Sequence, residues 1–176
     1  MSEKNFNFPN ILATIRLLLV PVVIYLIMKD SMTAALIVFL AACATDLLDG
    51  FIARKYNLVT RLGIWLDPLA DKLMAVSIIV CFVIKGILPL FVAIVIFVKE
   101  FLMLFGGLLV ISKHEVVPAN KFGKIASFVL NVAVASGFLY KVLDPYYLWV
   151  TYVALAFSVL AFVQYALKNW HLIFKK

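Results

Sequence analysis

The sequence predicts an all-α integral membrane protein, one domain over residues 1–176, with six transmembrane helices and a short N-terminal interfacial segment. Three observations carry this. The chain is 66% hydrophobic and only 14% charged, with a mean hydropathy of +1.12, more apolar than a chain of this length can hide in one water-soluble core. Its apolar segments recur at lengths near the roughly 20 residues that span a bilayer. Its basic residues collect on alternate connections between those segments, as cytoplasmic loops do.

The first segment, 7 to 28, follows Asn5-Phe6-Asn7-Phe8-Pro9, a stretch suited to lying along the inner interface, and ends at Lys29-Asp30. The second, 32 to 54, runs into the loop from Arg54 to Leu66, where Gly63 supplies the turn. The third, 67 to 85, opens on Asp67-Pro68; proline suits the first helical position, with Asp67 before it as the N-cap. Gly86 and Pro89 separate it from the fourth, 88 to 112. The fifth covers 122 to 141, and Asp144-Pro145 precedes the sixth, 146 to 168. No soluble domain, repeat or low-complexity linker is left over.

Charge orients this array. Lys4, Arg54, Lys55, Arg61, Lys113, Lys121, Lys124, Lys168, Lys175 and Lys176 fall on one side, against Lys29, Lys85 and Lys141 on the other. The first side is expected to be cytoplasmic, with both termini inside. Tyr146, Tyr147 and Trp149 then mark the outer interface, and Trp65 and Trp170 the inner. The net charge of +7 does not point to nucleic acid, because no basic stretch is dense enough to track a phosphate backbone. Cys43 and Cys81 lie in apolar runs without CxxC spacing, so neither a disulfide framework nor a zinc site is expected. Leu40-Ala41-Ala42-Cys43 has the form of a lipoprotein cleavage box, but two apolar runs precede it where a signal peptide has one, so it is read as a chance match.

Against this background the acidic residues stand out. Asp46, Asp49, Asp67 and Asp71 are four of only nine, and they fall in the array DxxDGxxARx8GxxxDxxxD. Carboxylates are costly in a membrane and usually mark function there. On a helix Asp46, Asp49 and Ala53 share a face, and Asp67 and Asp71 share one on the next helix. These helices are adjacent and antiparallel in sequence, which is expected to gather all four carboxylates near the cytoplasmic face. Four negative charges need cations to share a site. With oxygen ligands and no His or Cys contributed by the array, two hard ions, Mg2+ or Mn2+, are expected, a pairing used for displacement at phosphorus. Gly50, Ala53 and Gly63 are small where a bulky ligand must approach the backbone, and Arg54 is a cation suited to a phosphate. The blander readings are Asp residues paired with Lys72, Arg54 or Arg61, or a pathway for divalent cations; neither requires the interleaved Gly-Ala-Arg pattern.

The array resembles, at each of its fixed positions, the signature of the CDP-alcohol phosphotransferases, membrane enzymes that join a CDP-linked lipid to an alcohol and release CMP. The resemblance implies that Asp46, Asp49, Asp67 and Asp71 hold the metal pair, that Asp71 is the general base, and that Gly50, Ala53, Arg54 and Gly63 line the CDP site. It also implies a homodimer in a bacterial cytoplasmic membrane. The stretches from Phe8 to Arg16, Asp49 to Asn57 and Leu66 to Lys72 are most similar to phosphatidylglycerophosphate synthases, which implies CDP-diacylglycerol as donor and sn-glycerol 3-phosphate, a small phosphorylated alcohol, as acceptor. Asn10, Thr14 and Arg16 are candidates to contact the nucleotide or the acceptor, the alternative for Thr14 being a bond to its own helix backbone. Lys99, Lys121 and Lys124 are candidates for the acceptor phosphate. Where those synthases read Arg-Glu-Phe this chain has Lys99-Glu100-Phe101, and where they read Gly-Lys-x-Lys-Thr it has Gly123-Lys124-Ile125-Ala126-Ser127. Lys99 can equally pair with a carboxylate, and Lys121 and Lys124 can be ordinary topology charges. These departures keep cardiolipin synthase, with phosphatidylglycerol as acceptor, as the second expectation.

Overall fold

A computed structural model describes residues 8–55, 61–112 and 121–174. Those residues are helical apart from short turns: α1 (Phe8–Met28), α2 (Met32–Lys55), α3 (Arg61–Ile84), α4 (Leu90–Ser112), α5 (Lys121–Phe138), α6 (Tyr140–Leu143) and α7 (Tyr146–Phe174). They fall into two compact units, Met1–Lys85 and Gly86–Lys176. The all-helical expectation therefore holds. Among the described residues, two helical stretches are long and apolar enough to cross a membrane, Asn10–Met28 and Tyr146–Lys168, with shorter apolar stretches at Met32–Leu48 and Phe122–Phe138.

In the first unit α1 packs along both α2 and α3. The reason lies in one stripe of α1: Asn10, Ala13, Arg16, Val23 and Ile27 are buried, spaced by three, four or seven. Ala35, Phe39 and Ala42 are the buried face of α2, and Ala70, Met74, Ile78 and Phe82 that of α3. The alanines matter because small side chains let helix backbones approach closely. Large apolar residues such as Leu18, Ile37, Leu47 and Ile84 stay exposed on the outer faces, which suits apolar surroundings.

The turn after α1 is closed by its own backbone. Ser31 N–H bonds to Leu26 C=O at 2.9 Å and Asp30 N–H to Ile27 C=O at 3.0 Å, with Asp30 in the left-handed region at φ 59°. This is the paired bond pattern that satisfies the last carbonyls of a helix, with aspartate where glycine is usual. Lys85, just past the end of α3, reaches Asp30 Oδ1 at 2.7 Å and Met28 C=O at 3.2 Å, tying the ends of α1 and α3 together.

In the second unit α7 is the shared partner, packing on α4 and α5. Its buried residues Tyr147, Thr151, Ala154 and Ser158 again follow a four-three-four spacing. The Tyr147 hydroxyl donates to Ile87 C=O at 3.0 Å, and the Thr151 hydroxyl donates to Tyr147 C=O, so both buried hydroxyls are satisfied.

Three boundaries differ from the sequence expectation. The helix expected from 67 begins at Arg61, so Gly63 lies in its first turn and Asp67-Pro68 lie within it rather than capping it. Leu62, Ile64, Trp65 and Leu66 carry the apolar run upstream, and one proline removes a single helical bond, whereas unwinding two turns strands several polar groups. Pro21 is accommodated inside α1 in the same way. The segment expected to reach 141 breaks into α5 and α6, and α7 runs past 168 to Phe174. The expected interfacial segment lies mostly outside the described residues; Phe8 and Pro9 are the first residues of α1.

Ala35 tests the close approach of α2 to α1. Replacing it with leucine, Ala35→Leu, is expected to overpack the contact and cost about 1–3 kcal/mol, read as a lowered unfolding midpoint of the purified protein in detergent.

Candidate active site

At a rise of 1.5 Å per residue, Arg16 lies about 12 Å along α1 from Phe8, Asp46 about 14 Å back from the end of α2, and Asp71 about 15 Å into α3. Three helices with those registers bring their charged residues to one level. There Arg16 Nη1 lies 2.9 Å from Asp46 Oδ1 and 2.5 Å from Asp71 Oδ1, and it donates a hydrogen bond to Asp71. The Arg16 side chain is 1% exposed, while Asp46 and Asp71 are 36% and 44% exposed. The cation is sealed between helices and the carboxylates reach outward from it.

Of the four carboxylates expected to gather from α2 and α3, the two whose side chains are described meet through a third helix: both α2 and α3 pack on α1, and a residue of α1 joins Asp46 to Asp71. Arg16 is a partner that the sequence reading, which named the nearby cations Lys72, Arg54 and Arg61, did not offer; the side chains of Arg54 and Arg61 lie outside the described residues. The matching depths become visible only once α3 is seen to begin at Arg61, because a start at 67 leaves Asp71 within the first turns of its helix.

The surroundings are built from small and polar residues. Ala13, Ala42 and Ala70 are buried beside the three charged positions. The Thr45 hydroxyl bonds to Ala42 C=O at 2.8 Å, and Cys43, a free half-buried thiol, lies one turn before Asp46. Asn10 is buried, and the Thr14 hydroxyl donates to Asn10 C=O at 2.8 Å, the backbone bond that sequence left as the alternative to ligand contact. Asp49, Gly50, Ala53 and Arg54 lie on the last turns of α2 and Gly63 and Asp67 on the first turns of α3, and their side chains are outside the described residues.

Among the described residues no group of three or more His, Cys, Asp or Glu forms a metal cluster. The described pair nevertheless fits a divalent cation. Asp46 and Asp71 offer carboxylate oxygens converging on one cationic nitrogen, a donor set for Mg2+ or Mn2+ rather than for a soft metal. The guanidinium shows that positive charge is accommodated between them.

In the second unit Lys99 has partners of its own. Its ammonium lies 2.5 Å from Glu100 Oε1 and donates to Ser158 Oγ on α7 at 3.0 Å, the Lys99 and Glu100 side chains being 12% and 14% exposed. Ser158 was missed from sequence, though a serine on the buried stripe of an apolar helix was the available signal. Lys124 is exposed on α5, near the Ser127 hydroxyl that bonds back to Gly123 C=O. Lys121 opens α5, and its side chain is outside the described residues.

Comparison with known proteins places this geometry. Residues 6–161 match the family model described as CDP-alcohol phosphatidyltransferase. The chain belongs to the CDP-alcohol phosphatidyltransferase family. It is accordingly a transferase, and the membrane-length stretches of α1 and α7 accord with a membrane-associated one. This CDP-alcohol phosphatidyltransferase is 32% identical over 185 residues to the CDP-diacylglycerol--glycerol-3-phosphate 3-phosphatidyltransferase of Bacillus subtilis (strain 168), covering 94% of this chain and 96% of the relative. It is 28% identical over 177 residues to the protein of the same name from Aquifex aeolicus (strain VF5), covering 97% and 99%. A shorter stretch of 103 residues is 40% identical to a cardiolipin synthase (CMP-forming) / mitochondrial hydrolase fusion protein of Schizosaccharomyces pombe, covering 58% of this chain and 17% of that protein.

Lys99→Met should cost about 3 kcal/mol or more, because it leaves the Glu100 charge buried without its nearest cation. Adding Glu100→Gln to that variant should recover part of the loss, measured by unfolding in detergent.

Proposed function

We propose that the protein is a phosphatidylglycerophosphate synthase: it transfers the phosphatidyl group of CDP-diacylglycerol to sn-glycerol 3-phosphate and releases CMP. The observation that carries the reaction is the convergence of Asp46 and Asp71, two members of the signature array, at one cationic point. The choice of acceptor is supported by likeness to named synthases over nearly the whole of both chains. The domain is proposed to be one membrane domain over residues 1–176, with six spans, both termini and the site on the cytoplasmic side of a bacterial inner membrane, and a second copy completing a homodimer.

Asp46, Asp49, Asp67 and Asp71 are proposed to hold two divalent cations, Mg2+ or Mn2+. When bound, these ions offset charge on the attacking and leaving oxygens at phosphorus. Gly50, Ala53 and Gly63 leave room for the nucleotide, Arg54 holds a phosphate by paired hydrogen bonds, and Asn10 and Thr14 extend that surface from α1. Asp71 takes the proton of the acceptor hydroxyl. Because its Oδ1 is held by Arg16 at 2.5 Å, the other oxygen is the one to receive it. The acceptor oxygen forms its bond to the phosphorus of the phosphatidyl group, and the bond from that phosphorus to CMP breaks. Of the candidates for the acceptor phosphate, Arg16 and Lys99 already have carboxylate partners, so Lys121 and Lys124 are favoured.

The experiment is CMP release by purified protein given CDP-diacylglycerol, Mg2+ and one acceptor at a time. Release with sn-glycerol 3-phosphate is the expected result; release only with phosphatidylglycerol would make the protein a cardiolipin synthase. In the same assay Asp71→Asn should abolish turnover while CDP-diacylglycerol binding persists, and near-normal turnover would remove Asp71 as the base. Lys124→Ala should raise KM for sn-glycerol 3-phosphate more than for the lipid donor, whereas equal changes would count against its acceptor role.

A further inference from the structure

Arg16 does something that a substrate cation does not. It is 1% exposed, it comes from a helix outside the Asp array, and a single nitrogen, Nη1, meets one oxygen from each of two carboxylates on two other helices. Its depth along α1 matches theirs, and Ala13 and Asn10, about one and two turns before it, lie buried on the same stripe. We infer that Arg16 is a built-in counter-cation for the Asp46–Asp71 pair, a positioning residue that joins α1, α2 and α3 through charge and sets how strongly the pair attracts a divalent cation.

The charge arithmetic favours this. Two carboxylates brought to the same nitrogen repel each other, and a buried guanidinium with no anion is also costly, so each side of the contact reduces the other's penalty. Within this three-residue contact, one positive charge against two negative leaves a net negative pair, able to attract a further cation yet weaker than the bare carboxylates. Removing Arg16 therefore has two separable consequences. Stability falls because two close carboxylates lose their counter-charge, and affinity for a divalent cation rises because a repelling unit charge has gone. A residue that merely orients the carboxylates for a metal gives the opposite sign for the second effect, since losing such a support weakens metal binding.

The metal half of this inference rests on the proposed function; the charge-pairing half does not and is measured without metal or substrate. The full-length protein in detergent is melted in chelator as wild type, Arg16→Met, Asp71→Asn and the double variant. Arg16→Met is expected to lower Tm, and adding Asp71→Asn to it is expected to raise Tm by more than Asp71→Asn changes Tm in the wild type. Additive changes would overturn the counter-cation role. If Arg16→Met does not accumulate as folded protein, recovery of folded protein on adding Asp71→Asn carries the same information, and failure to recover it counts against the inference.

Mn2+ binding is then followed by electron paramagnetic resonance of the free ion. Arg16→Met, or Arg16→Gln if the former is unstable, should bind Mn2+ on the order of tenfold more tightly than wild type, the scale set by one unit charge near a divalent ion at a partly screened site. Arg16→Lys should return towards wild type. Unchanged or weaker Mn2+ binding in the uncharged variant would overturn the inference. Absence of CMP release with every acceptor would instead sink the proposed enzyme reading and leave the melting result standing.

Discussion

A guanidinium withdrawn from solvent costs several kcal/mol unless anions meet it, and Arg16 is met from two directions. That requirement constrains much of the first unit. α1 must lie where it touches both α2 and α3, its buried stripe must carry the small Ala13 beside Arg16, and Ala42 and Ala70 must be small on the partner helices. The helix ends are then drawn together by Lys85 on Asp30 and on the Met28 carbonyl that ends α1. This second contact is exposed and contributes little energy by comparison, but it joins the ends of the helices whose middles Arg16 joins.

The second unit answers the same physical problem with different residues. Lys99 and Glu100 are neighbours in α4, and their mutual attraction is supplemented by Ser158 from α7. A pair within one helix does not by itself hold two helices together; the serine makes it do so. Tyr147 contributes similarly, its ring buried and its hydroxyl bonded to Ile87 C=O. In both units polar groups are placed on the buried stripe of a helix that two others share, where each must find a partner and so specifies how the helices meet.

Much of the candidate site was legible in the sequence because its signal is type and spacing. Carboxylates are expensive in apolar segments, so Asp46, Asp49, Asp67 and Asp71 were visible without any coordinates, and the family comparison agrees with the class of chemistry they suggested. Helix existence was equally legible from apolar run length. The start of α3 was not. Local reasoning gave Pro68 its preferred place at a helix start, while the chain keeps the upstream turns and accepts the proline inside, since the cost of one lost bond is smaller than that of several stranded ones.

The sequence by itself determined that the chain is helical and apolar, which residues are candidates for its chemistry, and which family it belongs to, because those properties reside in residue type, spacing and order. The tertiary structure decided partnership. Arg16 stands apart in the chain from the carboxylates it joins, and Lys99 from Ser158. Nothing local distinguishes a cation that will bind substrate from one that will balance a buried charge. That distinction arises only when three helices are set at one level and the cost of an unmatched charge selects which groups meet.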